Sequence, residues 1–422
     1  MQHVIIGAGP AGVIAADTLH TLDPDAQVVI VGDEHEPPYS RMAIPYYLID
    51  RIDERGTYLR KSDKHFSARN IDVRQDRVAS LDTKAGKVVL ESGGDLAYDR
   101  LLIATGSRPV SPPIPGMDLP NVHPCWTLED ARQIAALAKP GAKVVLMGAG
   151  FIGCIILESL AARGVDLTVV ELENRMVPRM MNDAAGGLIK RWCESKGVKV
   201  FTSTKIESIE SGTGTSPLKL SLDDGQSLDA DLVISATGVK PNVEFLEGSQ
   251  VKTDYGIVVD NYLQTSVEGV YAAGDVAQGK DFSTGGYSVQ AIQPTAADHG
   301  RIAATNMAGR KAPHQGSVNL NVLDTMGLVS SSFGLWMGVD GGDGAEQHDP
   351  DRFEYINLQF RDDVLVGASS LGLTEHVGVL RGLIQSKTRL GDWKQKLMDN
   401  PNRIMEAYLA STQAIGFNAH VL

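Results

Sequence analysis

Cysteine is scarce: Cys125, Cys154 and Cys193 are the only three in 422 residues, and they form no CxxC pair, no zinc spacing and no even-numbered framework. A disulfide-stapled fold is thereby excluded, and a reducing, cytoplasmic setting is the expectation. The ten histidines fall without an HxxxH or comparable ligand spacing, so no metal is expected. Also missing is any apolar run long enough to cross a bilayer. Because a strand-like segment begins at His3, neither a signal peptide nor a transit sequence is expected. Positive charge is in deficit, with 39 Lys and Arg against 52 Asp and Glu. The formal charge of -13 argues against nucleic acid or an anionic membrane surface as the main partner. There is no low-complexity tract. With 43% hydrophobic residues the length suffices for two or three domains with sizeable cores.

Glycine, by contrast, is placed with purpose. VIIGAGPAG carries Gly7, Gly9, Pro10, Ala11 and Gly12, and VVLMGAGFIG carries Gly148, Gly150, Phe151, Ile152 and Gly153. Each follows an apolar β-rich run, His3 to Ile6 or Lys143 to Met147, and precedes a helical pattern. In that context the first glycine permits a tight turn, the second lets a pyrophosphate approach the backbone, and the third lets helix and strand pack closely. The helix N-terminus adds free N–H groups and a positive dipole end. Two copies, each between strand and helix, predict two dinucleotide sites, between which a hydride can pass. An acidic residue is expected at the end of each second strand to hold a ribose hydroxyl. QVVIVGDE offers Asp33 and Glu34, with Glu34 favoured by register, and DLTVVELENR offers Glu171. A carboxylate at Glu171 favours NADH over NADPH. Arg175, just beyond, either reaches a 2′-phosphate or is a solvated loop charge.

The order of elements repeats. A first βαβ unit ends near Val31, a loop with short helices spans Pro37 to Lys64, and a hairpin pairs Val78 to Leu81 with Lys87 to Leu90 before the strand Leu101 to Thr105. The proline-studded link Pro109 to Pro120 reads as a domain crossing. A second unit follows, with a helix near Ala184 to Lys196, a meander through Leu218 to Leu222 and the strand Asp231 to Thr237. Strands at Gly256 to Asp260 and Gly269 to Ala273 lead to a helix from Pro294 to Ala308. Beyond Gln315, strands run through Leu323 to Phe333, Glu354 to Phe360 and Val364 to Ala368, and helical patterns fill Thr374 to Gln385 and Asp392 to Leu409.

Three more signatures join the two loops: Ala104, Thr105 and Gly106 in ATGSRPVSPPIPG, Thr237 and Gly238 in ATGVKPN, and Gly274 with Asp275 in TSVEGVYAAGDVA. Together they resemble the FAD-dependent pyridine nucleotide-disulfide oxidoreductase superfamily, over essentially residues 1 to 312. The resemblance implies an α/β fold of two Rossmann-like domains, the NADH domain inserted in a split FAD domain, plus an α+β C-terminal interface domain. FAD would occupy residues 1–113 and 244–312, NADH residues 114–243, and residues 313–422 would mediate dimerisation. Asp275 would hold the flavin's ribityl hydroxyl. The helix opening at Pro294 and Thr295 would point its N-terminus at the flavin pyrimidine edge, where reduced flavin carries negative charge.

The resemblance also exposes what is missing. Disulfide reductases of this superfamily carry a redox cysteine in a segment ending CGLPYY, where this chain reads Met42, Ala43, Ile44, Pro45, Tyr46, Tyr47. A thioether forms neither thiolate nor mixed disulfide, so cysteine chemistry at that place is excluded. The ferredoxin and rubredoxin reductase branch shows PYxRPxLSK instead; PPYSRMAIPYY keeps Tyr39 and Arg41 but puts Tyr46 at the lysine. Ile155 stands where many relatives have a glutamate. Loss of both charges together is coherent, since stranding one buried charge costs about 3–5 kcal/mol whereas replacing the pair does not. An uncharged nicotinamide pocket near Tyr46, Phe151, Ile152 and Ile155 is expected. Arg41 either contacts the FAD pyrophosphate or an anionic substrate, or is a solvated loop residue.

The expected activity is an FAD-dependent NADH oxidoreductase that passes electrons to a separate iron-sulphur or rubredoxin-type carrier without a protein disulfide. An NADH oxidase or diaphorase using oxygen, quinone or a small molecule is a second reading, and a flavin-containing sensor with a degenerate NADH site a third. The basic run Arg381, Lys387, Arg389, Lys394, Lys396 and Arg403 around Trp393 is either a solvated helix face or a dock for an acidic carrier.

Overall fold

The runs from His3 and from Val28 are nearly continuous Val and Ile, the composition of strands covered on both faces. In the computed structural model, which describes residues 1–212, 214 and 216–418, they lie at the centre of a five-stranded parallel sheet. Its spatial order is Val270–Ala272, Arg100–Ile103, Gln2–Ile6, Gln27–Gly32, Ile71–Gln75. The last of these strands buries only Ile71 and carries Asp72 and Arg74 along the free edge, which discourages pairing with another chain. Helix Pro10–Leu22 buries Ala11, Gly12, Val13, Ala15, Ala16 and Leu19 and packs on helix Gln293–Met307. The two helices approach so closely that a Cβ on Gly300 would stand 2.3 Å from the Ala11 carbonyl oxygen. The expected hairpin is present as Val78–Asp82 with Lys87–Leu90, extended by Asp95–Ala97.

These elements belong to one of two units, Met1–Val110 with Val239–Ser317; the other is Ser111–Gly238 with Val318–Leu422. The chain leaves the first unit along strand Ser107–Pro109 and returns along Val239–Pro241. The two strands pair antiparallel, with Ser107 opposite Pro241.

The second unit repeats the parallel plan in the order Lys199–Phe201, Asp166–Val170, Lys143–Met147, Leu232–Ser235, Val122–Pro124. Helix Phe151–Ala162 follows its central strand, and an antiparallel trio, Ile206–Ser211, Leu218–Leu222 and Ser227–Ala230, covers Val145, Met147 and Val233. The same unit holds an antiparallel sheet ordered Leu320–Thr325, Leu328–Gly334, Val364–Leu371, Glu354–Arg361, Asp343–Asp349. Helices Val377–Ser386, Asp392–Asp399 and Ile404–Asn418 accompany it. Leu380, Leu383, Ile384, Leu397 and Ile404 from these helices bury against Phe333, Leu358 and Phe360 of the sheet.

Three local expectations change. The span from Leu323 to Phe333 is split by a turn at Met326 and Gly327, both with positive φ. The helix expected from Asp392 to Leu409 breaks before Pro401, whose ring cannot continue a helix. Strand Asp343–Asp349 is additional.

Candidate dinucleotide sites

Both phosphate loops are built by the same backbone accounting. In the first unit Gly7 N–H donates to the Val31 carbonyl at 2.7 Å and Ala104 N–H to that of Ile6 at 2.7 Å. In the second, Gly148 N–H donates to Val170 at 2.8 Å and Ala236 N–H to Met147 at 2.8 Å. Gly7 and Gly148 have φ of 112° and 99°, and a Cβ on either would strike the carbonyl oxygen of Ala104 or Ala236, at 2.1 and 2.7 Å. The two ATG segments therefore back the first glycine of each loop, which makes Ala236 a site residue that the sequence reading passed over. Gly12 and Gly153 lie against the carbonyl oxygens of Gly7 and Gly148, at 2.1 and 2.2 Å from a Cβ. Gly9 and Gly150 differ: a Cβ there meets nothing within 4 Å. Each is the N-cap of its helix with no side-chain cap, so no cap side chain competes for the first-turn N–H groups. An uncapped, glycine-lined helix start is what a pyrophosphate requires, and both sites fit one.

Around the first loop the structure gathers Gly274, Asp275, Pro294 and Thr295. Gly274 has φ 76°, and a Cβ on it would lie 3.2 Å from Ala11 Cβ and 3.4 Å from Ala296 Cβ. The Gly-Asp pair is thus wedged between the starts of helices Pro10–Leu22 and Gln293–Met307. The latter also lacks a side-chain cap and has proline in its first turn. Asp275 is half-buried; desolvation pushes its carboxyl above the usual range, opposed by a hydrogen bond from Ser107 Oγ at 3.2 Å and by the charge of Arg41. Nothing in the sequence singled out Ser107. Thr105 is tied to Asn242 in both directions, its Oγ1 donating to the Asn242 carbonyl and the Asn242 side chain donating to the Thr105 carbonyl, each at 2.9 Å. Gly106 takes φ 64° and accepts from Asn242 N–H at 3.0 Å.

Glu34 and Arg41 meet. Arg41 Nη2 donates to Glu34 Oε1 at 2.8 Å, Arg41 Nη1 to Tyr39 Oη at 2.9 Å, and Tyr39 Oη to Glu34 Oε2. Arg41 is therefore paired inside the chain. Asp33 points elsewhere, toward Arg77 at 4.0 Å with most of its side chain exposed. Tyr46 is half exposed on helix Ile44–Leu48, and Met42 is similarly open on the turn before it.

Around the second loop Glu171 is 7% exposed and each oxygen holds one N–H: Oε2 accepts from Ala149 at 2.5 Å and Oε1 from Glu173 at 2.8 Å. It fastens the glycine loop to the loop after its own strand. Arg175 is not the solvated loop charge that was one of its two expected roles. Its guanidinium donates to the Met181 and Pro178 carbonyls, to Asn174 and to Asp183. Phe151, Ile152 and Ile155 are partly exposed on the first turns of helix Phe151–Ala162. Thr237 Oγ1 lies 3.3 Å from Ser235 Oγ, and Gly238 takes φ 121°.

All three thiols are buried and free. Burial drives Cys125 and Cys193 up to about 12 and Cys154 well above its ordinary range, so none supplies a thiolate. Much of the basic C-terminal run is internally paired: Lys394 with Asp343, Arg389 with Asp363 and Arg403 with Glu406, with Lys396 and Arg403 over the Trp393 ring. Among the described residues no helix is long and apolar enough to cross a membrane, and no three or more His, Cys, Asp or Glu converge as a metal site.

Comparison with known proteins agrees with this geometry. Residues 1–311 match the family described as pyridine nucleotide-disulphide oxidoreductase. The chain is similar to the epsilon subunit of an NADH-dependent phenylglyoxylate dehydrogenase from Aromatoleum evansii, 30% identical over 97% of this chain and 98% of that one. It is similar to an NADH oxidase from Methanocaldococcus jannaschii, 33% identical over 74% and 71%. Among solved structures, a ferredoxin reductase from Rhodopseudomonas palustris superposes with TM-score 0.82 at 27% identity, covering 90% of this chain and 93% of that one.

Proposed function

The chain belongs to the pyridine nucleotide-disulphide oxidoreductases, and from that premise we propose that it moves electrons from NADH through FAD to a small iron-sulphur or rubredoxin-type protein without a protein disulfide. It is an FAD-dependent NAD(P)H oxidoreductase with FAD and NAD(H) as cofactors, and its electrons go on to a carrier or other acceptor. The observation carrying the reading is the duplicated cradle together with three free thiols, all of them buried.

We assign FAD to residues 1–113 and 244–312, NADH to 114–243, and an interface role, with homodimerisation, to 313–422. When bound, FAD supplies a hydride acceptor that can release electrons singly. The chain's residues supply placement. Gly7, Gly9 and Gly12 with the N–H groups at Ala11 hold the flavin pyrophosphate, Glu34 the adenosine ribose, Asp275 the ribityl hydroxyls, and the helix start at Pro294 and Thr295 the pyrimidine edge. Arg41 acts by holding Glu34 in place. Gly148, Gly150 and Gly153 hold the NADH pyrophosphate. Phe151, Ile152 and Ile155 give the nicotinamide uncharged neighbours at the start of their helix, and Tyr46 is likewise uncharged in the flavin unit. Engagement of Arg175 with Met181, Pro178, Asn174 and Asp183 withholds a cation from a 2′-phosphate and supports NADH preference. Three unpaired cysteines favour a cytoplasmic setting.

Ferredoxin reductases and a dehydrogenase subunit among the relatives support a protein acceptor; the archaeal NADH oxidase supports oxygen as the second reading. Anaerobic stopped-flow mixing with NADH, then reoxidation by ferredoxin, rubredoxin or oxygen, separates them. Fast reoxidation by a carrier and slow reoxidation by oxygen is the expected result. The reverse order establishes the oxidase.

A further inference from the structure

Between Glu171 and the helix Asp183–Ser195 lies a loop, residues 172–182, whose backbone is held in an unfavourable shape. Val177, a β-branched residue only 1% exposed, sits at φ 45°, a left-handed conformation that such residues avoid. Its neighbours hold it there. Val177 N–H donates to the Ala149 carbonyl of the glycine loop at 2.8 Å, and its own carbonyl accepts from Met180 and Met181 at 2.8 and 3.0 Å. With Glu171 accepting from Ala149 N–H, both backbone groups of Ala149 are therefore committed to this loop and its anchor. The far end of the loop is fixed from the C-terminal sheet. Asn182 Oδ1 accepts from Ala185 N–H at 3.1 Å and so caps the helix, while its Nδ2 donates to the hydroxyl of Tyr355 at 2.7 Å. Tyr355 is fully buried on strand Glu354–Arg361. The aromatic contact of Trp192 with Phe353, ring centroids 5.1 Å apart, and the hydrogen bond from Trp192 Nε1 to the Thr325 carbonyl at 3.1 Å secure the same helix to the same sheet.

A strained loop that clasps a phosphate loop and is pinned by one buried hydroxyl is a positioning device. We propose that Tyr355, acting through Asn182, is a positioning residue for NADH, so that the C-terminal sheet sets the affinity of the second glycine loop for its nucleotide. The inference rests on the assignment of NADH to that loop. Loosening the Tyr355 to Asn182 bond lets the loop relax away from φ 45° at Val177, and the carbonyl of Ala149 loses its fixed partner.

The test uses the FAD-loaded full chain and three variants. Tyr355→Phe deletes only the hydroxyl. Asn182→Ser keeps a capping oxygen but lacks the amide. Gly150→Ala reports on the loop itself. NADH dissociation constants come from anaerobic single-turnover flavin reduction, together with the limiting rate, FAD content and thermal midpoint. Tyr355→Phe and Asn182→Ser are expected to weaken NADH binding roughly three- to tenfold, the range for one buried hydrogen bond, with limiting rate and FAD content unchanged. The double variant is expected to be no worse than the weaker single one. Parental NADH affinity in both single variants overturns the inference, as does an equal loss of FAD and NADH binding. Parental NADH affinity in Gly150→Ala overturns instead the assignment on which it rests.

Discussion

The two loops contain a pair of glycines that look alike in sequence and differ physically, and replacing each with alanine separates ligand binding from folding. At Gly150, φ is −72° and ψ −170°, a conformation open to any residue, and an added Cβ meets nothing within 4 Å. The stability cost of Gly150→Ala is that of a poorer N-cap, about 0.5–1 kcal/mol at most. At Gly153 the Cβ falls 2.2 Å from the Gly148 carbonyl oxygen and 3.1 Å from its carbon. Ordinary contact lies near 3.5 Å, so helix and loop must part by about 1 Å, at the roughly 1–3 kcal/mol typical of overpacking. If NADH phosphate occupies the open side of Gly150, its methyl stands where the phosphate approaches. The expected loss is about ten- to a hundredfold in affinity, or about 1.4–2.7 kcal/mol. Urea denaturation and anaerobic titration of flavin absorbance with NADH measure the two quantities. Gly150→Ala should lower its midpoint only slightly and lose NADH binding, whereas Gly153→Ala should lower its midpoint further and also lose NADH binding. A Gly150→Ala protein that titrates with NADH like its parent refutes the placement.

Other perturbations follow from the buried titratable groups. His299 is 3% exposed and burial takes it down from 6.5 to about 3, with His314 adding repulsion. Its folded value is depressed, so the protein is fully stable above about pH 6.5 and loses stability as the pH falls toward 3. At pH 5 the loss is about 2 kcal/mol. Urea midpoints at pH 7 and 5 should differ less in His299→Gln than in the parent; an identical drop refutes the assignment. Asp275 is raised by burial, so its ionised form strains the FAD-free protein at neutral pH. Asp275→Asn should therefore weaken FAD retention, measured by fluorescence of released flavin, while leaving the FAD-free thermal midpoint equal or higher; unchanged retention removes Asp275 from the flavin site. Alanine at all three of Cys125, Cys154 and Cys193 should leave the rate of NADH-driven flavin reduction and carrier turnover intact. A collapse of turnover in a folded, flavin-loaded triple variant would restore a thiol to the mechanism.

Much of the fold could be read from residue patterns that physics leaves little choice about. Val- and Ile-rich runs flanked by glycine can hardly be anything but buried parallel strands, and both Gly-rich loops fall between strand and helix as expected. Strand Asp343–Asp349 was illegible because DGAEQHD has one buried residue, Ala345, and no apolar alternation; it exists through its pairing with Glu354–Arg361. Site chemistry was legible by residue type but not by partner. That Arg41 would turn onto Glu34, or Arg175 onto the Met181 carbonyl, depends on loop paths that local sequence does not encode. Ser107 and Ala236 lie inside the two ATG motifs, yet their own parts show only when the partner from far along the chain arrives.

Ser107–Pro109 and Val239–Pro241 run side by side. One narrow doorway therefore serves both the outbound and the homeward chain of the inserted segment, while a third crossing follows Ser317. Whatever is threaded through it, longer or shorter, begins and finishes at neighbouring points, so a foreign module with closely spaced ends can be spliced in without stretching the host sheet. An exchanged module would also have to meet the stretch from Val318 onward, which packs in the same unit as the inserted segment.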